Sequence, residues 1–187
     1  MIGEFFMKMD LVLELMDVPG QLVSVLDPIS GLGANLVTVI HKRDYKGGRQ
    51  PMKIVIIDGQ GGRMGKAVIE QLKSSYPELE LYAIGTNSIA TSAMLKAGAS
   101  YGATGENPVI VNARNADLII GPIGIVMADS LMGEITAAMA TAVSSSSAYK
   151  ILIPVNRCNH FIAGCQGGSL SDYIRQVCEE VGRHLSI

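Results

Sequence analysis

An apolar run that leads directly into a glycine-rich turn is the feature that most restricts the fold of this chain. Lys53 is followed by four apolar residues, 54–57, as in a strand that is buried on both faces of a parallel sheet. Residues 59–65 place glycine at four of seven positions, and an apolar stripe then predicts a helix to about residue 75. Glycines let backbone N–H groups approach an anion, and a helix N-terminus adds partial positive charge. The order strand, glycine turn, helix therefore predicts a phosphate-binding loop in an α/β domain.

Three loop patterns can be aligned with residues 59–67. The dinucleotide pattern G-x-G-x-x-G fits Gly59 and Gly61 but has Met64 at its third glycine. The variant G-x-x-G-x-x-G fits completely, and residues 62–65 resemble the opening loop of dihydrodipicolinate reductases, which use nicotinamide cofactors. The P-loop pattern fails, because Gln60 replaces its first glycine and Ala67 replaces its Mg²⁺-binding hydroxyl. We prefer the dinucleotide interpretation, and the alternative is a tight strand-to-helix turn without a ligand.

The residues around the loop favour NADP over NAD. Asp58 precedes the first glycine, where its charge would oppose a pyrophosphate. The acidic residue that binds ribose hydroxyls, expected about 20 residues further on, is missing. A second strand, predicted at 79–84, leads instead to the neutral residues Thr86, Asn87 and Ser88. With Arg63 nearby, this end of the strand suits a 2′-phosphate.

Strand and helix patterns alternate through the rest of the chain. Further strands are predicted at 99–103, 117–121 and 150–155, and helices at 89–97, 108–114, 126–143 and 170–185. This alternation predicts a Rossmann-like, three-layer α/β domain with a mostly parallel sheet, whose ligand lies beyond the carboxyl ends of the strands. The cofactor-binding residues expected there are Asp58, Gly59, Gln60, Gly61, Gly62, Arg63, Met64, Gly65, Thr86, Asn87, Ser88, Gly121, Pro122, Ile123, Gly124 and Asn156.

Candidate catalytic residues are few. Glu106 would act as a general base if its pocket raised its pKa. Cys158 is close to His160 in sequence, but side chains two residues apart in an extended segment point in opposite directions. Asp129 and Glu134 are expected to stabilise the dipole of the helix at 126–143. Cysteine spacing gives no second pair of ligands, so no metal site is predicted.

Residues 1–44 form a separate β-α-β pattern, with strands at 11–15 and 36–40. Residues 17–22 and 33–36 resemble the first half of an ACT domain, a ferredoxin-like module that often binds amino acids between paired copies. The resemblance would place Asp17, Gly20 and Asn35 at an effector pocket. The second half of such a module is missing, so we expect a structural or dimerising segment. Residues 45–52 are a polar, glycine-containing linker, and residues 53–187 form the main domain.

Composition excludes several classes of protein. Of 187 residues, 48% are hydrophobic and 17% charged, which excludes a disordered chain. The net charge of −2 provides no field for nucleic acid. Polar residues and Pro122 interrupt the most apolar stretch, 116–132, so it does not supply the roughly 20 apolar residues of a membrane span. We expect a cytoplasmic protein, a homo-oligomer with reduced cysteines, that binds a small molecule.

The main domain resembles a bacterial domain-of-unknown-function family, number 3842. The matching stretches are 53–62, 85–91, 102–107, 121–125 and 153–156. The resemblance implies a cytosolic unit of one domain, to which the half-ACT segment is an addition, and it implies no activity.

Three functions agree with these patterns. The first is a nucleotide-binding protein, for NADP or NAD, which as an enzyme would be a small-molecule reductase. The second is a non-catalytic metabolite sensor paired through the half-ACT segment, and it is favoured by the lack of an evident acid–base pair. The third, phosphotransfer or nucleotide hydrolysis, depends only on Lys66 after Gly65.

Overall fold

A computed structural model describes residues 52–154, 162, 165 and 168–185. The chain divides into two units, Met1–Gln50 and Pro51–Ile187, and the described residues belong to the second. The half-ACT pattern at 1–44 and nearly all of the linker lie outside the described residues, and both stay predictions.

The described domain contains one sheet in which all neighbouring strands are parallel. The order across the sheet is β3-β2-β1-β4-β5, which confirms the predicted Rossmann-like α/β class. The strands are β1 Ile54–Asp58, β2 Leu81–Gly85, β3 Tyr101–Thr104, β4 Leu118–Pro122 and β5 Tyr149–Ile153.

Helices cover both faces of this sheet. They are α1 Arg63–Ser75, α2 Ser88–Lys96, α3 Glu106–Arg114, α4 Ala137–Ser145 and α5 Leu170–Leu185. One apolar cluster joins the sheet to α1, α2 and α5, and a second joins it to α3 and α4. Both clusters draw on β1, because successive side chains of a strand point to opposite faces. This arrangement explains why Ile54, Val55, Ile56 and Ile57 are all fully buried. None of the helices described is long and apolar enough to cross a membrane.

The prediction of one helix over 126–143 is wrong. The region contains a 3₁₀ turn, Ile123–Val126, and a short helical segment, Ser130–Gly133, before α4 begins. Leu131 and Met132 lie inside that short segment with left-handed backbone angles, φ 52° and 61°. The side chain of Thr136 caps α4 by accepting a hydrogen bond from the N–H of Met139 at 3.2 Å. Leu131, Ile135 and Met139 are spaced by four residues, so their periodicity resembles that of one continuous helix.

Candidate functional site

The glycine loop lies at the point in the sheet where the chain stops adding strands on one side of β1 and begins to add them on the other. From β1 the chain moves outward to β2 and β3, then returns to β4 on the other side of β1. In parallel α/β sheets such a switch point forms a crevice beyond the carboxyl ends of the strands, and ligands bind there. The loop at 58–65 follows β1, and the turn at 121–124 belongs to the end of β4 and the 3₁₀ turn after it. Both predicted glycine turns therefore lie at this crevice.

Asp58 faces the loop backbone and is 6% exposed. Its carboxylate accepts hydrogen bonds from the N–H groups of Gly59 at 2.8 Å and Gly65 at 2.7 Å. Burial raises the pKa of Asp58 above its usual range, against the opposing effect of these N–H groups and that of Met64. We expected its charge to face a ligand pyrophosphate, but the side chain instead satisfies the amide of Gly59 in the loop and that of Gly65 in the first turn of α1. The Gly65 amide is thus engaged inside the protein.

Close packing accounts for the glycine at two positions of the loop. Gly62 has φ +64°, and a Cβ built on it would lie 2.7 Å from Cα of Ala90 in α2. A Cβ on Gly65 would lie 2.4 Å from Sδ of Met94 and 3.0 Å from Cβ of Asp58. These glycines allow α1 to approach both α2 and β1, which is a recognised role of glycine in dinucleotide-binding turns.

Glu134 supplies a carboxylate to the rim side of the loop. Its Oε2 accepts hydrogen bonds from the N–H of Gln60 at 2.8 Å and from Nδ2 of Asn87 at 3.1 Å. The hydroxyl of Thr86 donates a further, short hydrogen bond to the same oxygen. Partial burial raises the pKa of Glu134, but these three hydrogen bonds outweigh it and hold the pKa below its usual range. The side chain is consequently ionised at neutral pH.

The expectation that Glu134 stabilises a helix dipole is wrong. The carboxylate binds groups that lie 47 to 74 residues away in sequence. No local sequence pattern marks Glu134 as a site residue, so it was not among the predicted binding residues. An acidic side chain therefore does lie beside the end of β2, and it comes from the opposite half of the domain.

Residues 129–135, here called the covering segment, hold Glu134 over the loop. Its ends are anchored, since Ile135 is fully buried and the hydroxyl of Ser130 donates to the carbonyl of Gly124 at 2.5 Å. Among the described residues other than glycine, positive φ occurs only at Gln60, Asp129, Leu131 and Met132. All four lie in the loop or the covering segment. Such backbone strain costs about 1–3 kcal/mol per residue and is concentrated at functional sites in proteins.

Thr86, Asn87 and Ser88, predicted at the end of β2, lie beside the loop. Asn87 also caps α2, because its Oδ1 accepts from the N–H of Ala90 at 2.9 Å. Ser88 opens a surface groove of about 400 Å³ between α1 and α2. The groove is lined by Lys66, Ser88, Ile89, Ser92, Ala93 and Lys96. The groove carries two amino groups and two hydroxyls, and Ser88 is the one of these four residues that lies next to the end of β2. Arg63 begins α1 and is exposed, and Met64 packs against the first apolar cluster.

The turn at 121–124 is packed more closely. A Cβ on Gly121 would lie 2.4 Å from the carbonyl oxygen of Ile57. Gly121, Pro122 and Gly124 are buried, and Ile123 is partly exposed. Ser130 and Leu131 of the covering segment lie against Gly124. The role of this turn in ligand binding stays a prediction.

Within the described residues, Glu106 makes no hydrogen bond to the loop. Glu106 is the first residue of α3, and its Oε2 accepts from the hydroxyl of Thr136 at 2.5 Å. Cys158 and Asn156 lie outside the described residues. The part of the chain that the structure describes contains no group of three His, Cys, Asp or Glu side chains that could hold a metal ion.

The sequence profile of the family described as Domain of unknown function (DUF3842) matches residues 53–186. The chain belongs to this family. This match confirms the family resemblance of the main domain. Among solved structures, the chain is similar to a dodecameric FMN-dependent Ubix-like decarboxylase from Escherichia coli O157:H7, with a TM-score of 0.39 and 15% sequence identity. The aligned region covers 73% of this chain and 96% of the decarboxylase chain. No curated protein matches the sequence.

Proposed function

We propose that this DUF3842 domain binds a phosphorylated nucleotide cofactor at the glycine loop, and that it prefers NADP to NAD. One observation carries the proposal. Three donors, the Gln60 N–H, the Thr86 hydroxyl and the Asn87 amide, converge on a single anionic oxygen of Glu134. The carboxylate oxygen stands in for a phosphate oxygen of the ligand, which accepts hydrogen bonds from the same kinds of donor.

The position of these donors supports a nucleotide in particular. They lie at the switch point between β1 and β4, where parallel α/β sheets bind their ligands. Two of them follow β2, beside which the ribose of a dinucleotide lies in Rossmann folds. A phosphate at the loop and a ribose at β2 would together use both sets of donors.

The groove between α1 and α2 supports NADP over NAD. At the end of the groove near β2, Lys66 in the first turn of α1 provides positive charge for a 2′-phosphate, and Ser88 at the start of α2 provides a hydroxyl donor. Lys66 has Glu70 at 3.7 Å, with both side chains about half exposed. An exposed pair of this kind contributes little, so the charge of Lys66 remains available to a ligand.

A non-catalytic metabolite sensor is the second candidate. The observation in its favour concerns the two carboxyl groups nearest to the loop. Asp58 is held by backbone amides and Glu134 by three donors, so neither is placed as a proton-transfer group in the described structure. Reductase chemistry would have to use groups outside the described residues or groups that rearrange when a ligand binds.

A thermal-shift panel on the purified full chain tests the proposal. The compounds are NADP, NAD, ATP, S-adenosylmethionine and a set of amino acids. We expect NADP to raise the melting temperature more than NAD does. Stabilisation by an amino acid, with none by any nucleotide, would overturn the proposal in favour of the sensor.

A matched pair of variants tests the preference for NADP. Lys66 and Arg175 are exposed helix cations, each with a glutamate four residues further on, so Lys66→Ala and Arg175→Ala each remove one such cation. We expect Lys66→Ala to weaken NADP binding about fivefold and to leave NAD binding unchanged, because one exposed charge pair contributes about 1 kcal/mol. Arg175→Ala should change neither. Equal effects of the two variants would contradict a 2′-phosphate in the groove.

A further inference from the structure

We propose that Glu134 is an internal competitor for the anion that the glycine loop binds, and that the covering segment must move before a ligand phosphate can enter. This inference rests on the proposed function of the loop. It makes the loop a site that the protein closes with its own carboxylate, so that ligand binding and movement of residues 131–134 are coupled.

The first argument is steric. A Cβ built on Gly59 would lie only 2.6 Å from Oε2 of Glu134 and 3.0 Å from Cδ1 of Leu131. Even one additional carbon atom therefore does not fit between the loop and the covering segment. A phosphate group is larger than that atom, so it cannot reach the loop donors while Glu134 and Leu131 keep these positions.

The second argument concerns hydrogen bonds and charge. The Gln60 N–H has one hydrogen to donate, and Glu134 already accepts it at 2.8 Å. A phosphate at the same place would also face the Glu134 carboxylate directly, with Asp58 close behind the loop. Like charges at short distance repel strongly in a site partly shielded from water. Glu134 and a phosphate therefore exclude each other.

The third argument is that the segment is built to move. Between its anchors, Ser130 and Ile135, the residues Leu131, Met132 and Gly133 have positive φ. Met132 is 93% exposed, so its large apolar side chain gains nothing from burial in the closed arrangement. Backbone hydrogen bonds within residues 129–135 hold the turn together, and Leu131 packs against the second apolar cluster. Among the described residues, the hydrogen bonds that tie the turn to the loop and to the end of β2 come from the Glu134 side chain. Loss of those bonds would free the strained residues to relax.

Closure of this kind lowers the apparent affinity for the ligand, because that affinity equals the affinity of the open state multiplied by the fraction of molecules that are open. Removing the competitor should remove that penalty. Calorimetric titrations of the full chain with NADP and with inorganic pyrophosphate measure it. The variants are Glu134→Ala, Glu134→Gln and Glu134→Asp, and circular dichroism verifies that each is folded.

Glu80→Gln is the control for loss of a negative charge. Glu80 precedes β2 at the opposite end of the sheet, and its carboxylate accepts from the hydroxyl of Tyr101 at 3.4 Å. We expect Glu134→Ala to bind both probes about tenfold more tightly than the wild type, and Glu80→Gln to bind as the wild type does. Glu134→Asp keeps the charge but is one carbon shorter, so it should resemble Glu134→Ala.

Each other outcome overturns the inference in a distinguishable way. Wild-type affinity in all Glu134 variants would show that Glu134 does not compete, while the proposed function would stand. Weaker binding in these variants would make Glu134 a contact of the ligand, such as a partner of ribose hydroxyls. If Glu134→Asp alone bound the probes with wild-type affinity, the charge at position 134 would weaken binding by repulsion over a distance and not by occupying the anion site. Failure of wild type and variants to bind either probe would remove the proposed function together with the inference.

Discussion

The two glycine turns at the carboxyl edge of the sheet differ in what their backbones do. In the loop at 58–65, N–H groups point to acidic oxygens, those of Asp58 on the inner side and that of Glu134 on the rim side. In the turn at 121–124, the carbonyl of Gly124 accepts from Ser130 and from the N–H of Met127. The first turn thus presents donors to anions, and the second is bound to its own chain.

The difference shows that glycine in such a turn has two separable roles. Gly121 is required because the backbone of β1 leaves no room for a Cβ beside it. Gly59 lies opposite a side-chain carboxylate that a ligand could replace. Packing glycines and site glycines cannot be distinguished by their spacing, because both kinds follow a strand and precede a helical turn. The groups that surround each glycine make the distinction.

Gly62→Ala should have the largest effect on stability. The positive φ costs about 1–2 kcal/mol and the contact with the Ala90 backbone about 1–3 kcal/mol, so we expect a loss of roughly 3 kcal/mol in the free energy of unfolding. The control is Gly98→Ala, with φ +106° and only an ordinary contact, 3.5 Å from Cγ of Lys73. It should lose about 1–2 kcal/mol. Urea titrations measure both, and equal losses would contradict the packing role of Gly62.

Gly121→Ala tests the packing role of the second turn. A Cβ that lies 2.4 Å from the carbonyl oxygen of Ile57 forces apart two central strands, at a cost of about 2–3 kcal/mol. Gly61→Ala is the matched change in the first turn, where a Cβ would meet only Cγ of Arg63 at 4.0 Å. We expect it to change stability by less than about 0.5 kcal/mol. The two turns would not differ as described if Gly61→Ala were as destabilising as Gly121→Ala in chemical denaturation.

Asp58→Asn tests the inner anion of the first turn. An asparagine side chain can accept from one of the two amides but places an NH₂ group against the other, so we expect a loss of about 1–2 kcal/mol at neutral pH. Burial raises the pKa of Asp58 in the folded state. The protonated side chain therefore favours the folded state more than the ionised side chain does. The wild type should therefore gain stability relative to the variant as pH falls through the raised pKa. Denaturation at two pH values checks the sign, and a gap that narrows on acidification would refute it.

The fold was predictable because its signals are local. Strands β1, β2, β4 and β5 coincide with mostly apolar runs bounded by turn residues, whereas β3 is short and mostly exposed. Helix α5 carries an apolar face from Ile174 to Val181. The covering segment could not be predicted in this way. Leu131, Ile135 and Met139 repeat with helical spacing, while the backbone at Leu131 is left-handed. Only Gly133 and the capping residue Thr136 indicate in sequence that a new helix begins at 137.

The candidate site was predictable only in part for a similar reason. Gln60, Thr86 and Asn87 could be placed at one edge, because they follow adjacent parallel strands. Glu134 reaches the same point through a turn whose path depends on tertiary packing around Ser130 and Ile135. Asp58 was placed correctly along the chain, but the direction of its side chain depends on how closely Gly65 approaches β1.

Residue-resolved amide NMR of the full chain during titration with NADP would detect the replacement of Glu134 by a ligand phosphate at the loop. We expect the signals of Gln60, Gly61 and Thr86 to shift together with those of residues 131–134, as Glu134 leaves the loop. A second groove, of about 700 Å³ between α3 and α4, is lined by Ile110 and Ala138 among others and provides an internal reference. Its amides should stay unchanged. Shifts that cluster at this second groove, with the signals of the loop and of residues 131–134 unchanged, would show that NADP does not bind at the glycine loop.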